Sequence, residues 1–269
     1  MNYISLKKAI KSILKYFLFQ ENYFNYIRNK KRVINHNGVF YSFSSPNKLC
    51  DFRTKSFSSK EPETLKWIDS FSKESVFWDI GANVGIYSIY AAKSRECNVY
   101  SFEPSVFNLE TLARNIFMNK LDSNITIMPF AVNNIMGQVN LNMSSTDLGG
   151  ALSTFDKSYD DSGKNMKVIF KYSIFAISID QIISNLKIKS PDYIKIDVDG
   201  IELLILKGGK NILKKVKGVL IELTHDWLER KIDCEKILFD SGLKNTTKKY
   251  LTNTKSSKEC YNQIWERTK

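Results

Sequence analysis

The sequence predicts an α/β fold built on a doubly wound, mostly parallel sheet. Apolar strands alternate with helices along the chain, first at Val76–Ile80 and again at Asn98–Phe102. Strands that alternate with helices in this way are typical of βαβ units, whose parallel strands are buried on both faces. The segments Lys248–Leu251 and Tyr261–Glu266 are expected to close the sheet as an antiparallel pair. We therefore expect seven strands with an antiparallel C-terminal strand, preceded by an N-terminal helical arm.

The first strand and the turn after it are the stretch around which the chain is organised. The strand carries the carboxylate Asp79 near its end, and Gly81 then opens a turn into a helix over residues 84–93. Glycine permits a turn with positive φ or a close approach of the backbone to a ligand. Because ligands of open α/β sheets bind beyond the carboxyl ends of the strands, we expect a nucleotide-type site at this turn.

The glycine pattern distinguishes between classes of nucleotide ligand. A dinucleotide fingerprint reads G-x-G-x-x-G, but Asn83 and Ile86 occupy its second and third glycine positions. Asp79 would repel a pyrophosphate and attract a cation. S-adenosylmethionine carries an ammonium and a sulfonium and has no phosphate. The sequence therefore favours S-adenosylmethionine over a nicotinamide or flavin dinucleotide.

A second acid follows the second strand. Glu103 lies 22 residues after Gly81, which is about where a carboxylate after the second strand accepts hydrogen bonds from the ribose hydroxyls. The alternative is an acid that merely ends a strand. The order of strand, glycine turn, helix, strand and acid favours the ribose contact.

Three motifs together resemble the FkbM family of S-adenosylmethionine-dependent methyltransferases. They are Asp79-Ile80-Gly81-Ala82-Asn83-Val84-Gly85 with Ser88, then Phe102-Glu103-Pro104 with Asn115, and Ile194-Lys195-Ile196-Asp197-Val198-Asp199-Gly200-Ile201-Glu202 closed by Leu206-Lys207-Gly208. The resemblance extends from about Val76 to Glu222. It implies a Rossmann-like class I methyltransferase fold and acceptors that are mostly sugars or polyketide-type natural products.

The motifs and the strand ends give a set of residues expected to bind the cofactor. They are Asp79, Gly81, Asn83, Gly85, Ser88, Glu103, Pro104 and Ala131. The last of them follows the third strand, Asn124–Phe130, where class I methyltransferases usually place backbone beside the adenine. One position departs from the family pattern, because Asp199 stands where the family usually has the longer Glu.

Methyl transfer to a hydroxyl requires a group that accepts the proton of the nucleophile, and such a base typically contributes about 10²–10⁴-fold to the rate. The candidates at the carboxyl ends of strands are Asp197, Asp199, Glu222 and His225. Alternatively, the two aspartates position the methionine end of the donor or cap a helix, and His225 bonds only to backbone. Two acids flanking one valine also suit a divalent ion, but no ligand set is fixed, so no metal site is predicted.

Positive charge is concentrated at the N-terminus. Residues 1–32 contribute +7 to the formal net charge of +12, and apolar residues recur every three or four positions from Ile4 to Phe19. This pattern predicts a basic amphipathic helix. Such a helix either lies in a membrane interface, where it would bring the enzyme to lipid-linked substrates, or packs its apolar face on the catalytic domain.

Composition sets the remaining limits. No run approaches the roughly 18 apolar residues of a membrane span, and lysines interrupt the N-terminus, so no signal peptide is expected. Four scattered cysteines without a C-x-x-C pair indicate thiols in a reducing cytoplasm. We expect an arm and short strands over residues 1–60 and a methyltransferase domain over residues 61–269. We also expect a cytoplasmic location, and peripheral contact with the inner face of the membrane stays open.

The leading prediction is an O-methyltransferase acting on a sugar, a glycan or a lipid-linked glycan. Methylation of RNA is an alternative suggested by the positive charge. The chain has no N/D-P-P-Y motif, however, and its basic residues lie on an amphipathic arm rather than among stacking aromatics. A third alternative is a binding protein without catalysis, which the joint presence of all the acidic and glycine positions disfavours. The polar segment Ser144–Asn165 predicts either a substrate lid or disorder.

Overall fold

The computed structural model describes residues 3–155, 164–224, 227–251 and 262–268. The helices are α1 (Tyr3–Arg28), α2 (Lys48–Lys55), α3 (Pro62–Asp69), α4 (Ile86–Arg95), α5 (Val106–Asn119), α6 (Ile179–Leu186), α7 (Glu202–Lys207), α8 (Lys210–Leu213), α9 (Leu228–Asp240) and α10 (Thr247–Tyr250). The strands are β1 (Lys31–His36), β2 (Val39–Ser44), β3 (Val76–Ile80), β4 (Asn98–Phe102), β5 (Ile125–Met128), β6 (Ala131–Asn133), β7 (Gly137–Met143), β8 (Ser153–Phe155), β9 (Phe170–Ser178), β10 (Tyr193–Ile196), β11 (Gly218–Glu222), β12 (Lys244–Asn245) and β13 (Asn262–Glu266).

The main sheet has seven strands in the order β12-β13-β11-β10-β3-β4-β5. Strands β5, β4, β3, β10 and β11 are parallel, whereas β13 runs antiparallel to both of its neighbours. The predicted fold class is therefore confirmed. Strand β3 lies between β4 and β10, so the chain leaves it toward one edge and later returns on its other side. This is the topological switch point at which open α/β sheets bind ligands.

A second sheet has four strands in the order β6-β9-β7-β8. Strand β7 pairs antiparallel with β9 along its whole length. Ser178 ends β9 and caps α6 through a capping box with Gln181. This sheet brings Ser153 and Phe155 to one wall of the site described below.

The C-terminal pairing differs from the prediction. Residues Lys248–Leu251 were expected to be a strand, but residues 247–250 form α10, and the partner of β13 is the two-residue strand β12. Asn245 explains the helix, because its side chain accepts hydrogen bonds from the backbone N and the Oγ1 of Thr247. Short polar side chains of this kind favour turns and helix starts over strands.

The hairpin β1–β2 packs on α5 through buried amides. Asn115 Oδ1 accepts a hydrogen bond from the Ser44 backbone at 2.7 Å, and Asn119 Oδ1 accepts one from the Ser42 backbone at 3.0 Å. Tyr41 and Phe43 are 1% exposed. These contacts tie residues 31–60 to the catalytic domain. The division of the chain at residue 60 stays a prediction, and the packing places α1 alone outside the domain core.

Helix α1 extends well past the predicted end at Phe19, and its described side chains are largely exposed. Ile13, Leu14 and Phe19 are 56–66% exposed, as are several tyrosines of its second half. The described part of the chain contains no helix that is both long and apolar enough to cross a bilayer. The described apolar side chains of α1 are thus not covered by the part of the chain that the structure describes.

Candidate active site

A cavity of about 260 Å³ opens at the carboxyl ends of β3, β4, β10 and β11. Its apolar wall contains Ile80, Phe102, Phe130, Val132, Phe155 and Ile201, and its acidic residues are Glu103, Asp197, Asp199 and Glu222. The acids fall into two groups, because Glu103 follows β4 whereas the other three follow β10 and β11. The cavity therefore has an apolar wall and acids from two parts of the sheet, which we call its Glu103 end and its Asp197 end. Asp199 is close enough to Glu103 for its charge to raise the pKa of Glu103.

Glycine is required at two positions of the loop between β3 and α4. Gly81 has φ +84°, and a Cβ built on it would lie 1.9 Å from the carbonyl oxygen of Asp197. Gly85 has φ +81°, and its Cβ would lie 2.4 Å from Leu112 Cδ1. Any larger residue would therefore separate this loop from β10 or α5. The glycine loop holds β3 and β10 close together at the switch point.

Glu103 is buried, with 5% of its surface exposed. The backbone N–H groups of Asn83 and Ser105 donate to its two carboxylate oxygens, each at 2.8 Å. Burial raises the pKa of Glu103 to about 7, although these donors favour the ionised form. A buried carboxylate fixed by backbone donors beside an apolar wall fits the ribose hydroxyls and the adenine of S-adenosylmethionine.

A short segment, residues 147–153, lies over the glycine loop, and we call it the strap. The carbonyl of Gly150 accepts hydrogen bonds from Asn83 Nδ2 at 2.7 Å and from Asn108 Nδ2 at 3.1 Å. The backbone N–H of Ser153 donates to Asp199 Oδ2 at 3.0 Å. The strap is thus bonded to the loops after β3 and β10 and to α5.

The strap is also bonded to the N-terminal part of the chain. Asn47 Nδ2 donates to the carbonyl of Leu148 at 2.9 Å, and Arg53 Nε donates to that of Gly149 at 2.8 Å. A segment of this kind was expected to be a lid or disorder. Within the described residues the strap is an ordered wall of the cavity, whereas residues 156–163 of the same segment lie outside them.

Lys195, Asp197 and Glu222 form a charged cluster at the other end of the cavity. The Nζ of Lys195, which is 1% exposed, lies 2.5 Å from Asp197 Oδ2. Burial would raise the pKa of Asp197, but Lys195 and a hydrogen bond from Glu222 outweigh burial and hold it well below its usual range. The Asp197 charge, together with burial, raises the pKa of Glu222 to about 10. At neutral pH, Asp197 is ionised and Glu222 holds a proton.

Asp79 and Ser88 lie behind the glycine loop rather than in the cavity wall. Ser88 Oγ donates to Asp79 Oδ2 at 2.6 Å and accepts a hydrogen bond from Ser101 Oγ at 2.7 Å. Asp79 is paired in register with Lys195 on the neighbouring strand. Its nearest cationic influence is therefore this lysine, and a direct contact between Asp79 and the methyl donor stays a prediction.

The other predicted site residues also divide into those that line the cavity and those that lie behind its wall. Gly81, Asn83, Glu103, Pro104, Ala131, Asp197, Asp199 and Glu222 line the cavity, whereas Gly85 supports the loop from behind. His225 lies outside the described residues. No group of three or more His, Cys, Asp or Glu side chains in the described ranges is arranged to hold a metal ion.

Sequence patterns missed four residues of the site. Arg53 and Lys60 line the cavity from before the first motif, and Asn108 binds the strap from α5. Lys195 had a signal in the sequence, because a charge at the centre of an otherwise apolar strand is costly unless it is paired. Its carboxylate partners follow from the parallel pairing of β3 with β10.

The comparisons with known proteins agree with this site. The model of the methyltransferase FkbM domain matches residues 79–240. The hexuronic acid methyltransferase AglP from Haloferax volcanii is 26% identical over 176 residues, which are 65% of this chain and 66% of that protein. The aligned part thus spans slightly less than two thirds of this relative.

Similar solved structures include one methyltransferase and one protein in complex with AdoMet. Precorrin-6y C5,15-methyltransferase from Geobacter metallireducens is 15% identical, with a TM-score of 0.43 over 77% of this chain and 87% of that chain. TYW2 of M. jannaschii in complex with AdoMet is 15% identical, with a TM-score of 0.43 over 88% and 87%. The family match covers more than half of the chain and includes the glycine loop, Glu103 and the Asp197 cluster. The chain therefore belongs to the FkbM methyltransferase family, whose methyl donor is S-adenosylmethionine.

Proposed function

We propose that this protein is an O-methyltransferase that transfers the methyl group of S-adenosylmethionine to a hydroxyl of a sugar, a glycan or a lipid-linked glycan. The relative from Haloferax volcanii carries the proposal, because its name specifies a hexuronic acid and it aligns with 65% of this chain. The acidic end of the cavity around Asp197 and Glu222 supports it, since a polar acceptor fits there.

The two ends of the cavity suit different parts of the donor. Glu103 would bind the ribose hydroxyls, and the apolar wall around Phe130 and Val132 would contact the adenine. Bound S-adenosylmethionine supplies an electrophilic methyl group on a sulfonium. Asp197 and Asp199, beyond β10, would then face its positively charged end. Orientation of the donor and the acceptor hydroxyl is the first contribution of these residues to the rate.

We assign the role of proton acceptor to Glu222, with Asp197 as its partner. Asp197 keeps Glu222 protonated in the free protein, and a positively charged donor favours the ionised form of both acids. The bound cation lowers the pKa of Glu222, and the neighbouring charge of Asp197 keeps the ionised Glu222 more basic than an isolated carboxylate. Glu222 then accepts the hydroxyl proton as the oxygen–carbon bond forms and the carbon–sulfur bond breaks.

Single substitutions test this assignment. Glu222→Gln should lower kcat by about 10²-fold or more, as expected for loss of a positioned base, and should leave the affinity for S-adenosylhomocysteine within about threefold of wild type. Asp199→Asn and His225→Ala are the comparisons. If either of these lowers kcat more than Glu222→Gln does, the base is elsewhere.

The acceptor class requires a direct assay. Full-length protein is incubated with radiolabelled S-adenosylmethionine and lipid-linked oligosaccharide, bulk RNA or no acceptor. Label in the oligosaccharide is the expected result. Label in RNA alone, or in none of the three, contradicts the proposed function.

We also propose that α1 brings the enzyme to the membrane surface on which lipid-linked acceptors lie. Lys7, Lys8, Lys11 and Lys15 are exposed on this helix, and its exposed Leu, Ile, Phe and Tyr side chains supply apolar contact area. Lysines attract anionic headgroups, and each contributes about 1 kcal/mol near such a surface. A basic helix with exposed aromatic and aliphatic side chains fits the interface of an anionic bilayer.

Liposome flotation with anionic lipid tests this role of α1. Phe19→Ser/Phe24→Ser should reduce the floated fraction, because both rings are exposed by more than 60% on the helix. Phe117→Ser is the matched control, since this phenylalanine is 79% exposed but lies on α5. Equal flotation of wild type, of the α1 variant and of a protein lacking residues 1–28 would exclude the proposal.

A further inference from the structure

Two basic side chains enter the site from the part of the chain that precedes the family match. Arg53 lies on α2, and Lys60 lies in the segment between α2 and α3. Both line the main cavity, and both also line a second cavity of about 50 Å³ beside it. Arg53 and Lys60 therefore lie where the two cavities meet, on the side of Asp197.

The guanidinium of Arg53 is oriented by the strap. Its Nε donates to the carbonyl of Gly149 at 2.8 Å, which fixes the plane of the group while the side chain remains only half-buried. Its two terminal nitrogens donate no hydrogen bond to any of the described residues. A planar guanidinium with two donors held side by side matches the geometry of a carboxylate.

Lys60 adds a second charge at the same place. Its Nζ lies 2.6 Å from Glu61 Oε1, and about half of its side chain is exposed. Burial of its ammonium would lower the pKa of Lys60, but Glu61 and the more distant Asp197 and Glu222 raise it. Lys60 thus remains charged, and its exposed part can approach a ligand at the cavity junction.

The second cavity is lined by more cations than acids, although Lys195 is paired with Asp197 and Lys60 with Glu61. Its described lining contains Arg53, Lys60 and Lys195 as cations and Asp197 as the one acid. The backbone before α4 also forms part of the lining, and the first N–H groups of a helix favour negative charge. A volume of about 50 Å³ suits a group as small as a carboxylate.

We propose that Arg53 and Lys60 form a carboxylate-binding site at the reactive end of the cavity. Two carboxylates are available to it in this reaction. One is the α-carboxylate of S-adenosylmethionine, and the other is the carboxylate of a uronic acid in the acceptor. The second source rests on the proposed function, whereas the first does not. In both cases the residues that precede the family-matched segment complete the site.

Binding measurements with four probes distinguish the two sources. Isothermal titration calorimetry gives the affinities for S-adenosylmethionine and for 5′-methylthioadenosine, which lacks the amino acid. NMR saturation transfer on protein saturated with S-adenosylhomocysteine compares D-glucuronate with D-glucose. The variants are Arg53→Gln, Lys60→Gln and the double variant, and Arg53→Lys keeps the charge without the planar fork.

A control variant separates this site from general charge effects. Lys48→Gln removes one exposed charge from the same helix as Arg53 but lies outside both cavities. It should bind every probe like wild type. Thermal unfolding of each variant shows whether loss of the bond from Arg53 to the strap has altered the fold.

If the site binds the donor, each single substitution to Gln weakens S-adenosylmethionine by about 10-fold or more and leaves 5′-methylthioadenosine unchanged. If it binds the acceptor, both affinities stay unchanged, and the signal of D-glucuronate is lost while that of D-glucose remains. The inference is overturned if the double variant binds all four probes like wild type, or if S-adenosylmethionine and 5′-methylthioadenosine weaken equally. If the substitutions weaken S-adenosylmethionine but the wild-type protein methylates no sugar, the proposed function is rejected and this site is retained.

Discussion

The two ends of the cavity hold their acids in opposite ways. Glu103 is a single carboxylate, fixed by the backbone N–H groups of Asn83 and Ser105. Asp197 and Glu222 instead form a pair that shares a proton beside the buried ammonium of Lys195. Backbone donors fix the position of one acid, whereas the cluster balances its charge with a lysine and a proton.

The difference has a chemical consequence. A carboxylate fixed by backbone can accept hydrogen bonds from neutral hydroxyls with little rearrangement, as a ribose requires. A cluster that contains an exchangeable proton can instead respond to the arrival of a cation by releasing that proton. The first arrangement suits recognition of the cofactor, and the second suits acid–base chemistry.

The largest expected effect comes from removing the ammonium of the cluster. Lys195→Met leaves Asp197 and the fully buried Asp79 without their cation, and loss of one partner from a buried ion pair costs about 3–5 kcal/mol. The free energy of unfolding, measured by urea titration, should fall by that amount. Glu103 should keep its hydrogen bonds in this variant, because they come from the backbone of Asn83 and Ser105 and from the side chain of Asn108.

The control for this experiment is a lysine–aspartate pair at the surface. Lys217 and Asp192 are 2.9 Å apart, and their side chains are 56% and 29% exposed. Lys217→Met should change the free energy of unfolding by less than about 1 kcal/mol. Similar losses for the two lysine variants would show that the cluster around Lys195 is not a tightly coupled buried group.

The next expected effect concerns the affinity for S-adenosylmethionine and tests the role of Glu103. Glu103→Ala should weaken S-adenosylmethionine by about 10–100-fold, as expected for loss of a charge-assisted hydrogen bond. Calorimetry measures the dissociation constant. Glu110→Ala is the control, because Glu110 is an exposed acid on α5. An unchanged dissociation constant in Glu103→Ala would rule out the ribose contact.

These two regions also differ in how well the sequence predicts them. The position of Glu103 follows from strand order and from its distance after Gly81, because the parallel sheet fixes where β4 ends. The cluster was predicted only in part, since Asp197 and Glu222 were expected at strand ends but the proton they share depends on burial. Their mutual contact requires the adjacent pairing of β10 and β11, which sequence periodicity does not specify.

Long-range contacts account for the residues that sequence reasoning missed. Arg53 contacts Gly149 across 96 positions of the chain, and Asn47 contacts Leu148 across 101. No local pattern links positions that far apart. Arg53 lies on α2, which Asn47 starts by accepting a hydrogen bond from the Cys50 backbone. The position of the strap depends on the packing of α2 against the domain, which local sequence patterns do not specify.

The last comparison separates the two ends of the cavity by the dependence of stability on pH. The pKa of Glu222 is about 10 in the folded protein and 4.5 in an unfolded chain, so the folded state holds a proton that the unfolded state releases between these values. The stabilisation is therefore fully present below about pH 4.5 and is lost as pH rises toward about 10, with a slope of at most about 1.4 kcal/mol per pH unit. Glu222→Gln has no such proton, so its free energy of unfolding should change less between about pH 6 and about pH 9.

Urea titrations of the cofactor-free protein at both pH values measure this difference, and Glu229→Gln, an exposed position on α9, is the control. Glu103 contributes only in the lower part of the range, because its folded pKa is about 7, and its contribution is the same in wild type and in Glu222→Gln. Glu103 therefore cancels from the difference between the two proteins, which should widen steadily from about pH 6 to about pH 9 because Glu222 holds its proton in the folded state throughout this range. Parallel curves for wild type and Glu222→Gln would mean that Glu222 is already ionised in the free protein, and the acid pair would then be two separate carboxylates.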